Sequence, residues 1–89
     1  MKVLRQETSF LKCLKRIKKR RYAIDKMDAV LSLLIQSQPL PGKYKDHALS
    51  GDFKGCRECH IEDNWLLIYM VTDDAVVLVA TGSHDDLFK

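Results

Sequence analysis

Trp65-Leu66-Leu67-Ile68-Tyr69-Met70-Val71, then Thr72-Asp73-Asp74, then Ala75-Val76-Val77-Leu78-Val79-Ala80-Thr81, is the stretch that decides the fold. Both apolar runs are rich in β-branched and aromatic residues, as central strands are, and three polar residues between them make a hairpin-length connection. A third run, residues 53–61, precedes them across Glu62-Asp63-Asn64, another short polar connector. The C-terminal half therefore predicts a three-stranded antiparallel meander.

Upstream of the meander the periodicity changes. Gln38-Pro39-Leu40-Pro41-Gly42 closes a helical half, because two prolines remove backbone donors and hold the residues before them extended. Ile24, Met27, Leu31 and Leu34, with Val30 and Leu33 beside them, form an apolar stripe wide enough for both a helix and a sheet. Phe10, Leu14, Ile17 and Arg21 recur at helical spacing in an earlier helix, with Thr8 or Ser9 as its N-cap. Residues 2–5 read as an edge strand, and 42–52 as a polar loop, the kind of segment that carries binding groups on a rigid scaffold. The expected architecture is α+β, with two N-terminal helices packed on one face of a small antiparallel sheet, in a single domain over residues 1–89.

The charge of this chain is two-ended. Residues 1–22 hold nine basic side chains and one acid, whereas the rest holds six basic and eleven acidic. A concentrated basic end attracts a phosphate backbone or an acidic protein, although a charge run is also the ordinary dress of a solvated helix. At 89 residues the chain buries a modest core and gains from a tight partner. Three cysteines, an odd number, do not form a secreted disulfide framework, and no apolar run reaches membrane-spanning length. A cytoplasmic protein without a membrane partner is expected.

All three histidines, His47, His60 and His84, lie in the C-terminal half, in the loop, the first meander strand and just past the last strand. Imidazole is the side chain best suited to taking a proton from one oxygen and giving one to another near neutral pH. One histidine alone is more often a surface or capping residue; three that the meander can bring to one rim are less easily explained so. Strand alternation puts Cys56, Glu58 and His60 on one face and Arg57 and Cys59 on the other, so Glu58 can orient the His60 ring. The same alternation disfavours Cys56-x-x-Cys59 as a zinc chelate, and no second such pair exists to complete a tetrahedral set. No metal and no cofactor is expected.

Tyr44-Lys45-Asp46-His47-Ala48-Leu49-x-Gly51, then Arg57-Glu58-Cys59-His60, then Trp65-Leu66-Leu67-Ile68-Tyr69, then Thr81-Gly82-Ser83-His84-x-x-Leu87-Phe88, resembles in order and spacing the YafQ branch of the RelE-like toxins. The resemblance implies a microbial ribonuclease-like fold and a ribosome-dependent messenger-RNA endonuclease acting in the A site. It also implies a cognate acidic antitoxin, with the toxin monomeric when free and hetero-oligomeric when neutralised. The family's active-site positions fall here on His47, Glu58, His60, His84 and Phe88.

Those residue types can cleave RNA without a metal. Attack by the neighbouring 2′-hydroxyl needs a base, for which His60 oriented by Glu58, or His47, is suited, and an acid for the departing 5′-oxygen, assigned to His84. Phe88 is expected to stack on a base. Lys45, Lys54 and Arg57 are candidate phosphate contacts, and Lys15, Arg16, Lys18 and Lys19 on the first helix are candidate RNA contacts. Two departures from the family pattern stand out. Asn64 occupies a position that is often acidic, and Ala80 one that is often arginine, so an obvious phosphate-stabilising cation is missing. The competing reading is a toxin-like module that grips RNA or antitoxin without cutting.

Overall fold

The computed structural model of the protein describes residues 1–88. Its elements run β1 (Val3–Gln6), α1 (Thr8–Lys19), α2 (Ile24–Ile35), a 3-10 turn (Gly42–Tyr44), β2 (His47–Ala48), a second 3-10 turn (Gly51–Phe53), β3 (Arg57–Glu62), β4 (Trp65–Val71), β5 (Ala75–Gly82) and α3 (His84–Phe88). The strands form one sheet in the order β1-β5-β4-β3-β2.

The meander is antiparallel as its sequence predicts, but the sheet as a whole is mixed. β1 pairs parallel to β5, with Val3 opposite Ala75 and Gln6 opposite Leu78. The two helices between β1 and the meander carry the chain back, so β1 enters the sheet in the same direction as β5. The Lys2 ammonium fastens this edge by donating to the carbonyls of Thr72 and Asp73, at 2.6 and 3.0 Å.

One face of the sheet packs on the helices. Phe10 and Ile17 from α1, and Met27, Val30, Leu31 and Leu34 from α2, are buried against Cys59, Ile61, Leu67, Tyr69, Val76 and Leu78. These are the stripe positions of both helices and alternate positions of the strands, as helical and strand periods require. Trp65 closes the end of this core: its indole N–H donates to Thr81 Oγ1 at 2.9 Å, and that hydroxyl donates to the Leu66 carbonyl at 2.8 Å. Tyr22 meets the indole edge to face, with centroids 5.0 Å apart.

Three expected boundaries shift for local reasons. The N-cap of α1 is Glu7, in extended backbone, rather than Thr8 or Ser9; the Ser9 hydroxyl instead donates to the Val79 carbonyl at 2.6 Å, tying α1 to β5. Arg21 lies beyond α1 with φ 59°, and the Tyr22 N–H returns to the Ile17 carbonyl, so the left-handed residue ends the helix. The first meander strand begins at Arg57, not at residue 53, because residues 51–53 coil into a 3-10 turn and Gly55 takes φ 91°, which a strand cannot hold.

Candidate active site

The other face of the sheet carries the chemistry, and the register shows how. His47 pairs with Glu58, Glu58 with Ile68, and Ile68 with Ala80, so these four form one row across β2, β3, β4 and β5. The neighbouring row runs from His60 through Leu66 to Gly82, two residues before His84. Two strand spacings, about 10 Å, therefore separate the backbone of His60 from the start of the His84 segment.

Glu58 sits between two imidazoles. Its Oε1 lies 3.4 Å from His47 Nε2 and 3.5 Å from His60 Nε2, and its side chain is buried while both rings reach solvent. The two rings are tilted, with centroids 6.4 Å apart. His47 Nδ1 is 2.9 Å from the Lys45 carbonyl; a carbonyl only accepts, so Nδ1 carries a proton and Nε2 is the atom turned to Glu58.

The loop that delivers His47 is pinned through the residue before it. Asp46 accepts from Arg57 Nε and Nη2, at 3.2 and 2.9 Å, and from the Tyr69 hydroxyl. Lys45, in the left-handed region at φ 49°, turns the chain so that Asp46 reaches down to these partners. Burial, then the bond to Asp46, pushes the Tyr69 phenol well above its ordinary range, and the Asp46 carboxylate raises the Arg57 guanidinium further. Arg57, expected as a phosphate contact, thus faces away from Glu58 and is held by Asp46.

His84 and Phe88 stand on α3, the short helix that follows β5. Ser83 and Asp86 form a reciprocal cap: the Ser83 N–H donates to Asp86 Oδ2 at 3.1 Å, and the Asp86 N–H donates to Ser83 Oγ at 3.2 Å. The bond from the Ser83 backbone, then the Arg20 guanidinium, holds the Asp86 carboxyl below the usual carboxylate range. The His84 N–H donates to Asn64 Oδ1 at 3.1 Å, so the asparagine at the often-acidic position supplies a helix-end acceptor. The His84 ring lies against Phe88, centroids 5.1 Å apart, and Phe88 meets Phe53 edge to face at 5.8 Å.

The expected cations are distributed differently. Lys45 lines a cleft of about 430 Å³ together with Lys43, Tyr44 and His60, which places it beside one imidazole. Lys54 follows the turn that carries Phe53. Lys15, Lys18 and Lys19 are exposed on α1, whereas Arg16 and the unforeseen Arg20 turn toward Asp86, at 3.7 and 2.8 Å. Ala80 is buried with Ile68 and Cys56 where an arginine is frequent in the family pattern. Cys56 and Cys59 belong to different clusters on opposite faces, and burial pushes the Cys59 thiol up to about 12.

Asp46, Asn64, Arg20 and Asp86 are the site-building residues that sequence reading missed. Only the Ser83-x-x-Asp86 spacing, a capping-box signature, was readable without the fold.

The sequence and the fold resemble those of proteins already described. The family model for the bacterial toxin of type II toxin–antitoxin systems, YafQ, matches residues 2–89. The mRNA interferase toxin YafQ of Escherichia coli strain K12 is 41% identical over 80 residues, which is 89% of this chain and 87% of that one. The crystal structure of YafQ from E. coli strain BL21(DE3) superposes with a TM-score of 0.93 at 36% identity, and that of the E. coli DinJ–YafQ complex with 0.91 at 37%, each over the whole of both chains. With the family model spanning residues 2–89 and the fold shared over the whole chain, the chain belongs to the YafQ toxins of bacterial type II toxin–antitoxin systems.

Proposed function

We propose that this protein is an endoribonuclease that cuts messenger RNA on the ribosome and is neutralised by a cognate acidic antitoxin. The observation that carries the reading is Glu58 between His47 and His60, a buried carboxylate facing two solvent-reaching imidazoles, with His84 and Phe88 on α3 just past the Gly82 end of the adjoining row. A domain that only gripped phosphate would call for lysine and arginine there instead.

The reaction follows from the groups. His60 or His47 removes the 2′-hydroxyl proton, and the Glu58 carboxylate, 3.5 and 3.4 Å from their Nε2 atoms, stabilises the imidazolium that forms. The 2′-oxygen attacks phosphorus, the bond to the 5′-oxygen breaks, and His84 protonates that leaving oxygen. The products are a 2′,3′-cyclic phosphate and a 5′-hydroxyl. Phe88, already in an aromatic stack with His84 and Phe53, offers a face to a nucleobase. Lys45, which lines the same cleft as His60, is the candidate to meet the phosphate in a chain that has Ala80 on β5.

The antitoxin reading rests on the charged helix and on the relatives. E. coli YafQ forms a complex with DinJ. Here the exposed Lys15, Lys18 and Lys19 of α1 offer an acidic segment a charged surface to fold against. The functional test is end-group analysis of messenger RNA incubated with the protein and ribosomes: 5′-hydroxyl and cyclic-phosphate ends support this chemistry. 5′-phosphate ends would rule it out.

A further inference from the structure

We infer that Asp86 is a positioning residue, which ties the basic face of α1 to α3 and so holds His84 and Phe88 at the histidine rim. The inference rests on the function proposed above. α3 spans five residues, too few for its own hydrogen bonds to hold it in place. Its placement comes from outside: the His84 N–H bonds Asn64, Phe88 meets Phe53, Leu87 packs beside Ile68, and Asp86 receives the charged contacts from the helical layer.

The same carboxylate accepts from the Ser83 N–H at 3.1 Å and from Arg20 Nη1 at 2.8 Å, with Arg16 Nη1 3.7 Å away. Its side chain is 15% exposed, against 48% and 43% for the arginines. Arg16 in the last turn of α1 and Arg20 at its C-cap are four residues apart, so both point to the same side, across the 66 residues that separate Arg20 from Asp86 in sequence. β5 approaches just as closely: a Cβ on Gly82 would come within 3.0 Å of Asp86 Oδ2. One carboxylate thereby joins the helical layer, the end of β5 and the helix that bears the proposed general acid. Two cations of the basic helix thus act inside the molecule, beside the lysines that face outward.

A positioning role differs from mere support in what it changes. Moving a reacting group by an ångström lowers the rate of the bound complex, not its formation. Asp86→Asn retains a cap acceptor and removes the charge, while Asp86→Ala removes both. Lys12→Ala removes a cation from α1 that does not reach Asp86, and so controls for charge alone. Steady-state cleavage over a range of substrate concentrations, with thermal melts to confirm folding, is measured for these variants and for Arg20→Ala and Arg20→Lys. The nuclear Overhauser contact between Phe53 and Phe88 is followed in each.

The latch predicts that Asp86→Asn and Arg20→Ala lower kcat by about tenfold with KM within about twofold, and that Arg20→Lys restores most of the rate. Lys12→Ala leaves kcat unchanged, and the Phe53–Phe88 contact weakens only in the Asp86 and Arg20 variants. Unchanged kcat in folded Asp86→Asn and Arg20→Ala overturns the inference, as does an equal loss in Lys12→Ala. If the wild type cuts nothing, the functional proposal fails by itself. The Phe53–Phe88 contact then decides the latch, its persistence in Asp86→Asn and Arg20→Ala counting against it.

Discussion

Nε2 of His47 lies 3.4 Å from Oε1 of Glu58, and the two residues are register partners across the two-residue strand β2. An amide in place of that carboxylate keeps the size but removes the negative charge that faces both rings. Glu58→Gln is therefore expected to fold normally and to cut RNA about 10- to 100-fold more slowly, within the range for weakened general-base catalysis. Single-turnover rates beside a thermal melt check this; a wild-type rate would make Glu58 a bystander.

Asp46 unites Arg57, Tyr69 and the loop that carries His47. Replacing it with alanine leaves a phenol and a half-exposed guanidinium without their acceptor, at a cost of about 2 kcal/mol for the charged bonds lost. For a domain of this size that is a fall of about 10 °C in Tm. Tyr69→Phe is expected to cost less, since Arg57 still pairs with Asp46. Urea melts of both variants, at unchanged m, measure the difference.

Gly82 has φ +147°, and its missing Cβ is the space that Asp86 uses. Alanine there meets both backbone strain and the carboxylate, so Gly82→Ala is expected to lose about 1–3 kcal/mol and most of the cleavage activity. Calorimetry and the cleavage assay should move together. A fully active and stable variant would show that α3 does not depend on this close approach.

Cys59 is sealed in the core, and burial, then Asp46 and Glu58, raises its thiol to about 12. The sign is that of a raised group: in the unfolded chain the thiol ionises near pH ~8.5, while in the fold it stays protonated. Its contribution is complete below that pH and is lost as pH rises toward about 12. The stability difference between wild type and Cys59→Ala should accordingly shrink above pH ~8.5. Alkylation at neutral pH should modify the partly exposed Cys13 well before Cys59, as read by mass spectrometry.

What the sequence made legible was periodic or compositional. The stripes of α1 and α2 and the apolar runs of β4 and β5 lie where 3.6- and 2-residue periods put them. Partners far apart in the chain were not legible: nothing local in Val3–Gln6 says that it pairs parallel to β5, and nothing in residues 51–56 but Gly55 says that the strand starts late. The site divides in the same way. His47, Glu58 and His60 come together on one face as strand alternation and the family likeness imply. Asp46 and Asp86, by contrast, acquire meaning only from Tyr69, Arg57 and Arg20, which the fold brings to them.

The most direct test of the central claim is primer extension on messenger RNA in a purified translation system, comparing the wild type with His84→Ala, with and without ribosomes. Cuts within codons are expected that require ribosomes and that fall by at least about 100-fold in the variant, as loss of a general acid entails. Cuts of equal strength from His84→Ala would contradict the assignment of the acid. A wild type that cuts nothing under any condition would contradict the enzyme itself.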